Sequence, residues 1–276
     1  MPYNDVWYGA ATISVSGGIK ASTLHRGTFD GPEVEEVVVP PIPLDSAQNG
    51  RSVDVTSYEW VPGAEGRLVA VVYQHAVEGL RYDTEFISYL GVYDLEADAW
   101  VYANVALNER KANGVALAPA KAVDDRIYIA VANVIMCHDL ATGERLWSRE
   151  LRGEIWTSGF AVSEGVCAVN CEDKVMYGLD AATGRQLWTV PTAQLCSPLE
   201  GRVLDGVAYF VCGSDHSLFG VDLRAGELIW KLDAERMVRG AGGFAPYVSA
   251  APGEGGEPGR LFVRAAGDVH CVEAHR

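Results

Sequence analysis

One pattern recurs along the chain without gaps, and it restricts the fold to a repeat architecture. Cys137-His-Asp-Leu-Ala-Thr-Gly-Glu-Arg-Leu-Trp147 aligns with Gly178-Leu-Asp-Ala-Ala-Thr-Gly-Arg-Gln-Leu-Trp188 and with Gly220-Val-Asp-Leu-Arg-Ala-Gly-Glu-Leu-Ile-Trp230. In each copy the Asp is followed four residues later by Gly and eight later by Trp. The Asp residues stand at 139, 180 and 222, so the period is 41 and then 42. A degenerate copy lies upstream at Val92-Tyr-Asp94-Leu-Glu-Ala-Asp-Ala-Trp100, read as two residues shorter. A partial copy, His270-Cys-Val-Glu273, sits at the C-terminal end with Glu273 in the Asp place.

Each unit reads as four short strands. Arg126-Ile-Tyr-Ile-Ala-Val-Ala is a β-branched run, and a second strand follows and ends at the Asp. Ala-Thr-Gly is a hairpin turn, with Gly placed where φ must be positive. Arg-Leu-Trp opens the next strand, and an apolar run such as Thr157-Ser-Gly-Phe-Ala-Val precedes the unit. Four strands in about 40–45 residues make the blade of a β-propeller. The expected class is all-β, one propeller domain over 1–276 with four-stranded antiparallel blades near 4–39, 52–105, 112–151, 156–190, 194–233 and 240–273. Six blades is the count this gives, with five or seven open. The Trp is expected between adjacent blades, pinning one sheet on the next. Gln74–Thr84 reads as an insertion in the second blade, Pro40–Arg51 as a long connection, and Pro252–Gly259 as a solvated loop.

The Asp-x-x-Thr-Gly-x-x-x-Trp pattern resembles the tryptophan-docking repeat of PQQ-like, quinoprotein-type β-propellers. The resemblance is strong over 126–233, moderate over 84–125 and 260–276, and weak or absent over 1–66. Quinoprotein dehydrogenases of that family are longer, with more blades, a bound cation and an adjacent cysteine pair. This chain has no adjacent cysteines and no oxygen-ligand cluster of calcium-cage spacing, so no cofactor and no metal are expected. A shared fold does not carry a shared function.

Composition narrows the partners. Hydrophobic residues make up 49 % of the chain, enough for a sizeable core. The net charge is −15, from 22 basic and 37 acidic side chains. Such a chain is a poor binder of phosphate backbones, so nucleic acid is not expected, while a basic protein partner is natural. The N-terminus carries no basic n-region followed by an apolar run, and no window approaches a membrane span; a cytoplasmic location is expected and a membrane one is not. Seventeen Arg against five Lys point to a GC-rich, bacterial source.

The cysteines are Cys137, Cys167, Cys171, Cys196, Cys212 and Cys271, read as structural free thiols. Cys167 and Cys171 share a strand face about 13 Å apart, too far for one metal. Cys137 and Cys271 hold equivalent repeat positions, which argues for packing. His138 and His270 are read as near-equivalent scaffold residues, and no pair of histidines has zinc spacing. No nucleophile elbow, P-loop or dinucleotide fingerprint is present, which excludes an α/β enzyme.

In a propeller, two sets of loops converge around the axis on one face. The loops entering the innermost strands carry Asn108, Glu109, Arg110, Lys111, Asn113, Glu154, Trp156, Cys196, Arg236 and Arg239. Those between second and third strands carry His75, Glu78, Arg81, Asp83, Glu172, Asp173, Asp215 and His216. Glu109, Arg110, Asn113, Trp156, Glu172, Asp173, Asp215 and Arg236 are the binding candidates. His75, Glu154, Arg239 and His216 are the candidates for catalysis in a central funnel. The expected function is a non-enzymatic interaction module that docks a protein partner through this rim. The alternative is a small enzyme (lyase, cyclase or hydrolase) with a polar site in the funnel; a sensor of a small ligand lies between the two.

Overall fold

The computed structural model describes residues 6–11, 14–15, 18–19, 23–28, 34–37, 53–78, 85–109, 111–112, 116, 118–155, 159–192, 202–212, 215–240, 242–253, 255 and 257–274. The first sheet pairs β1 (Val6–Ala11), β4 (Thr23–Thr28) and β5 (Val34–Val37), and β2 (Ser14–Val15) and β3 (Gly18–Ile19) form a small hairpin. The second sheet has β6 (Val53–Trp60), β7 (Leu68–Glu78), β8 (Glu85–Asp94), β9 (Ala99–Ala106) and β10 (Lys111–Ala112). Three four-stranded sheets follow in simple antiparallel order. They are β11 (Lys121–Val123) to β14 (Arg145–Glu150), with β12 (Arg126–Val131) and β13 (Val134–Asp139) between; β15 (Phe160–Ser163), β16 (Val166–Asn170), β17 (Val175–Asp180) and β18 (Gln186–Pro191); and β19 (Arg202–Leu204), β20 (Val207–Val211), β21 (Leu218–Asp222) and β22 (Glu227–Leu232). After α1 (Ala234–Met237), the last sheet has β23 (Phe244–Ala251), β24 (Arg260–Ala265) and β25 (Asp268–Glu273).

The chain forms two compact units, Met1–Ile127 with His138–Glu144 and Tyr128–Cys137 with Arg145–Arg276. Burial follows strand position. All five residues of β16 and of β20 are buried, whereas β14 is exposed except at Trp147. A strand covered on both faces reads as an unbroken apolar run, which is why Val207-Ala-Tyr-Phe-Val shows no alternation. In the second unit Val166, Ala168 and Met176 of one sheet meet Ala208, Phe210 and Phe219 of the next. The opposite face of that sheet, with Tyr209, Val211 and Leu218, meets Phe244, Val248, Leu261 and Val263. In the first unit Val55, Val69, Val71, Tyr73 and Tyr93 form the core, with Trp100 against it.

The repeated Asp builds its own turn. Asp180 Oδ1 accepts the N–H groups of Ala182 and Thr183 and the Thr183 hydroxyl at 2.9–3.0 Å, and Gly184 N–H closes onto the Asp180 carbonyl at 2.8 Å. Asp139 repeats this with Ala141 and Thr142, Asp222 with Arg224 and Ala225, and Asp94 with Glu96 and Ala97. The residue after the acid always donates to the start of its hairpin: Leu95 to Arg67, Leu140 to Asp125, Ala181 to Gly165, Leu223 to Gly206 and Ala274 to Gly259, at 2.8–2.9 Å. The last of these puts Glu273 in the Asp place.

The tryptophans dock on the next turn. Trp147 Nε1 donates to the Ala181 carbonyl at 3.0 Å, and Trp188 Nε1 to the Leu223 carbonyl at 2.8 Å. Gly184 and Gly226, at φ +70° and +66°, lie flat against these rings; a Cβ would come within 2.6 Å of Trp147 and 2.3 Å of Trp188. The upstream copy corrects the sequence reading. Its docking residue is Tyr102, whose hydroxyl donates to the Leu140 carbonyl at 3.1 Å, and Gly143 packs on that ring. Tyr102 lies eight residues after Asp94, so this copy is not shortened. Trp100 instead packs edge-on against Tyr93 inside its own sheet. Asp98, at φ +52°, takes the left-handed position that Gly holds elsewhere.

Other expectations shift as well. Of the segment read as an insertion, Gln74–Glu78 belongs to β7, with His75 opposite Ile87 and Ala76 opposite Phe86, and residues 79–84 lie outside the described residues. Ala112, where the third blade was expected to begin, and Lys111, expected in the loop before it, pair with β8. The residue before each docking aromatic is extra in its pair of strands: Gly178 faces Trp188 while Leu179 faces Gln186, which leaves Leu187 in a β-bulge. Ile229 and Val101 hold the same place. This accounts for their exposure at 40 %, 39 % and 53 %.

Candidate functional site

The loops that join second to third strands are met by the segments that leave each sheet. In the second unit, Ile155 N–H donates to the Ala132 carbonyl and Leu151 N–H to that of Asn133, both within 2.8–2.9 Å. The same segment then reaches the following sheet, where Glu172 N–H donates to the Glu154 carbonyl at 2.9 Å. Gly153 permits that approach, since a Cβ there would sit 2.6 Å from the Asp173 nitrogen. The structure therefore brings Glu154, Glu172 and Asp173 together. Glu172 is exposed, and Glu154 and Asp173 are half-buried.

Asp173 is committed to this scaffold. Its Oδ1 accepts Val175 N–H at 3.2 Å and its Oδ2 accepts the Tyr177 hydroxyl at 2.5 Å. Burial, and then the facing carboxylate, push the Tyr177 phenol up to about 12, so it stays a donor at neutral pH. Asp215 does the same one repeat later. Its Oδ1 accepts the Ser217 N–H and hydroxyl, and its Oδ2 accepts Lys231 Nζ at 2.9 Å. Burial alone would raise this carboxyl, but the Ser217 and Lys231 hydrogen bonds outweigh it and hold the group far below the usual carboxylate range. Lys231 also lies 3.7 Å from Asp233 and 5.3 Å over the Phe219 ring.

The remaining candidates spread out. His75 is half-buried within β7 of the first unit. Glu109 is exposed after β9, its carbonyl accepting Asn108 Nδ2 at 2.8 Å. Arg236, on α1, lies 3.9 Å from Asp233. Arg239 is exposed in the turn beyond it, and His216 is exposed at φ +54°. Arg110, Asn113, Trp156 and Cys196 lie outside the described residues. The sequence reading passed over Arg264, Gly242, Gly243 and Gly267, which line a cavity of about 420 Å³ with His216. The Ala265–Asp268 hairpin was legible; its nearness to residues 242–245 was not.

Cys137, Cys167, Cys171 and Cys212 are buried free thiols, whereas Cys271 is exposed, so Cys137 and Cys271 do not share an environment. His138 is buried, with Nδ1 2.9 Å from the Gly143 carbonyl; His270 is half-buried, with Nε2 3.3 Å from that of Ala265. The two histidines are not equivalent. Among the described residues no cluster of His, Cys, Asp and Glu has the arrangement of a metal site, and no helix is long and apolar enough to cross a membrane.

The turn carboxylates make stability depend on acid. Hydrogen bonds from Thr142 and Thr183 hold Asp139 and Asp180 below the ordinary aspartate range, and Arg67 does so for Asp94. A folded-state value below the unfolded one gives stability that is present above about pH 4 and lost as pH falls through the folded value. Urea midpoints measured from pH 7 down to pH 2.5 are expected to fall below about pH 4. Asp180→Asn is expected to flatten that fall, and an unchanged profile in this variant would refute the assignment.

A sequence-family profile described as outer membrane protein assembly factor BamB matches residues 97–275. The chain belongs to the PQQ-like β-propeller family. This PQQ-like chain has no match among curated proteins. Among solved structures, a chain in the crystal structure of the mitotic checkpoint complex is similar at TM-score 0.58 and 13 % identity, over 92 % of this chain and 72 % of that one. The computationally designed Ika8 protein is similar at TM-score 0.54 and 12 % identity, over 91 % and 80 %. BamB from Moraxella catarrhalis aligns at TM-score 0.45 and 13 % identity, over 96 % and 88 %. At such identities the first two likenesses speak to the fold, which is all-β and of propeller type.

Proposed function

We propose that this chain is an interaction module that docks a basic protein partner through the loop platform carrying Glu154, Glu172 and Asp173. The observation that carries the reading is the crossing of the two loops, in which Glu172 is tied to Glu154 through the backbone and Asp173 to Tyr177. A platform already fixed by such bonds loses little conformational freedom on binding, and that lowers the cost of association. Its acidic side chains, on a chain of net charge −15, favour encounter with positive surfaces. The family description, an assembly factor, fits a role in holding other proteins.

The test is native mass spectrometry of the tagged chain recovered from its own host at low salt, beside a Glu154→Lys/Glu172→Lys variant. A stoichiometric basic protein is expected with the unaltered chain, lost at high salt and lost in the variant. Recovery of the bare chain, or of a partner that binds the variant equally well, would sink the reading.

A further inference from the structure

The cavity beside His216 lies wholly in the second unit and has a distinct chemistry. Its floor is apolar, with Phe244 and Ala265 each 2 % exposed. Its polar lining is cationic. Arg264 is exposed on β24, and no carboxylate of the described residues pairs with it. The acid next in sequence to His216, Asp215, is taken up by Ser217 and Lys231. Five of the lining residues hold positive φ: His216 at +54°, Gly242 at +69°, Gly243 at +154°, Ala266 at +51° and Gly267 at +94°. Such conformations cost energy in non-glycine residues and persist where surrounding contacts impose them. Here the Phe244 N–H donates to the His216 carbonyl at 2.8 Å, and a Cβ on Gly243 would lie 2.3 Å from that of His216.

We propose that this cavity binds an aliphatic carboxylate. The planar fork of Arg264 matches a carboxylate through two parallel N–H···O bonds, with His216 completing the polar lining. Phe244, Ala245 and Ala265 take a short apolar substituent. A single guanidinium matches a monoanion, and the field of a strongly acidic chain disfavours a multiply charged phosphate. The carboxylate has two sources, a free small acid and the C-terminus of a peptide. The inference does not depend on the partner reading above, since the residues differ.

The experiment is an amide NMR titration of the ¹⁵N-labelled chain with N-acetylalanine, N-acetylalanine amide and inorganic phosphate. Saturable shifts at the Gly242, Gly243 and Gly267 amides are expected with the acid and not with the neutral amide. Arg264→Gln is expected to weaken binding at least about tenfold, and Arg264→Lys, which keeps the charge without the fork, by a smaller factor. Arg260→Gln, on the same strand, serves as the unaffected control. Equal shifts with the neutral amide, stronger binding of phosphate, or unchanged affinity in a folded Arg264→Gln variant would overturn the proposal. An acetylated tetrapeptide ending in alanine separates the sources: binding about tenfold tighter than N-acetylalanine assigns the site to a chain terminus, and equal binding to a free acid.

Discussion

Replacing the half-buried Trp188 by alanine is expected to lower the unfolding free energy by about 3–5 kcal/mol, the range for truncating a large packed aromatic. The ring contributes in three ways. It fills the space above Gly178, whose Cβ would meet it at 2.0 Å, and above Gly226 on the next turn. It packs against the cluster of Val166, Ala208, Phe210 and Val221 that joins two sheets. Its Nε1 donates to the Leu223 carbonyl. For a chain of this size the loss corresponds to a fall in Tm of roughly 6–20 °C. Trp188→Phe is expected to recover the packing and to keep only the hydrogen-bond loss, about 1 kcal/mol. A scanning calorimetry endotherm for Trp188→Ala within about 2 °C of the parent would refute the docking role.

Gly226→Ala is expected to cost about 2–5 kcal/mol through two separable causes. The backbone stands at φ +66°, which an alanine adopts at about 1–2 kcal/mol. The new Cβ also enters the Trp188 side chain, 2.3 Å from Cγ and 2.6 Å from Cβ. Only the second cause depends on Trp188. The double variant Gly226→Ala/Trp188→Ala is therefore expected to be less destabilised than the sum of the two singles, because the contacts with the ring atoms go while the 2.6 Å contact with the retained Cβ stays. Urea midpoints at constant m read this coupling. Strict additivity would show that the two residues do not meet.

Residues 121–232 were largely legible because their signals are local. The Asp carboxylate caps the N–H groups two and three residues on, the Gly supplies positive φ, and covered strands need continuous apolar side chains. Each of these follows from residues within one hairpin. The misreadings arose where an identity takes its meaning from another element. Trp100 looked like the docking residue because it is a tryptophan, yet its partner is Tyr93 in its own sheet. Tyr102 does the docking because a phenol hydroxyl reaches the Leu140 carbonyl as an indole N–H reaches Ala181. The count of eight from Asp94 was available, and residue type obscured it. Cys271 and Cys137 share a sequence position, but Cys137 is buried and Cys271 exposed.

The candidate site divides the same way. The strand order led to the expectation that Glu154 and Glu172 share a face, and the structure joins their two segments through the Glu172 N–H and the Glu154 carbonyl. That Asp173 and Asp215 serve their own loops required knowing where Tyr177 and Lys231 stand. Sequence by itself determined the all-β class, the repeat and its turns, since bonds over a few residues and a period of about forty specify them. Tertiary structure alone decided which carboxylates are committed, which alkyl groups are left in bulges, and that Arg264 lines a cavity with His216. Those outcomes rest on contacts between residues tens of positions apart, set by how neighbouring hairpins stack, and no local pattern encodes them.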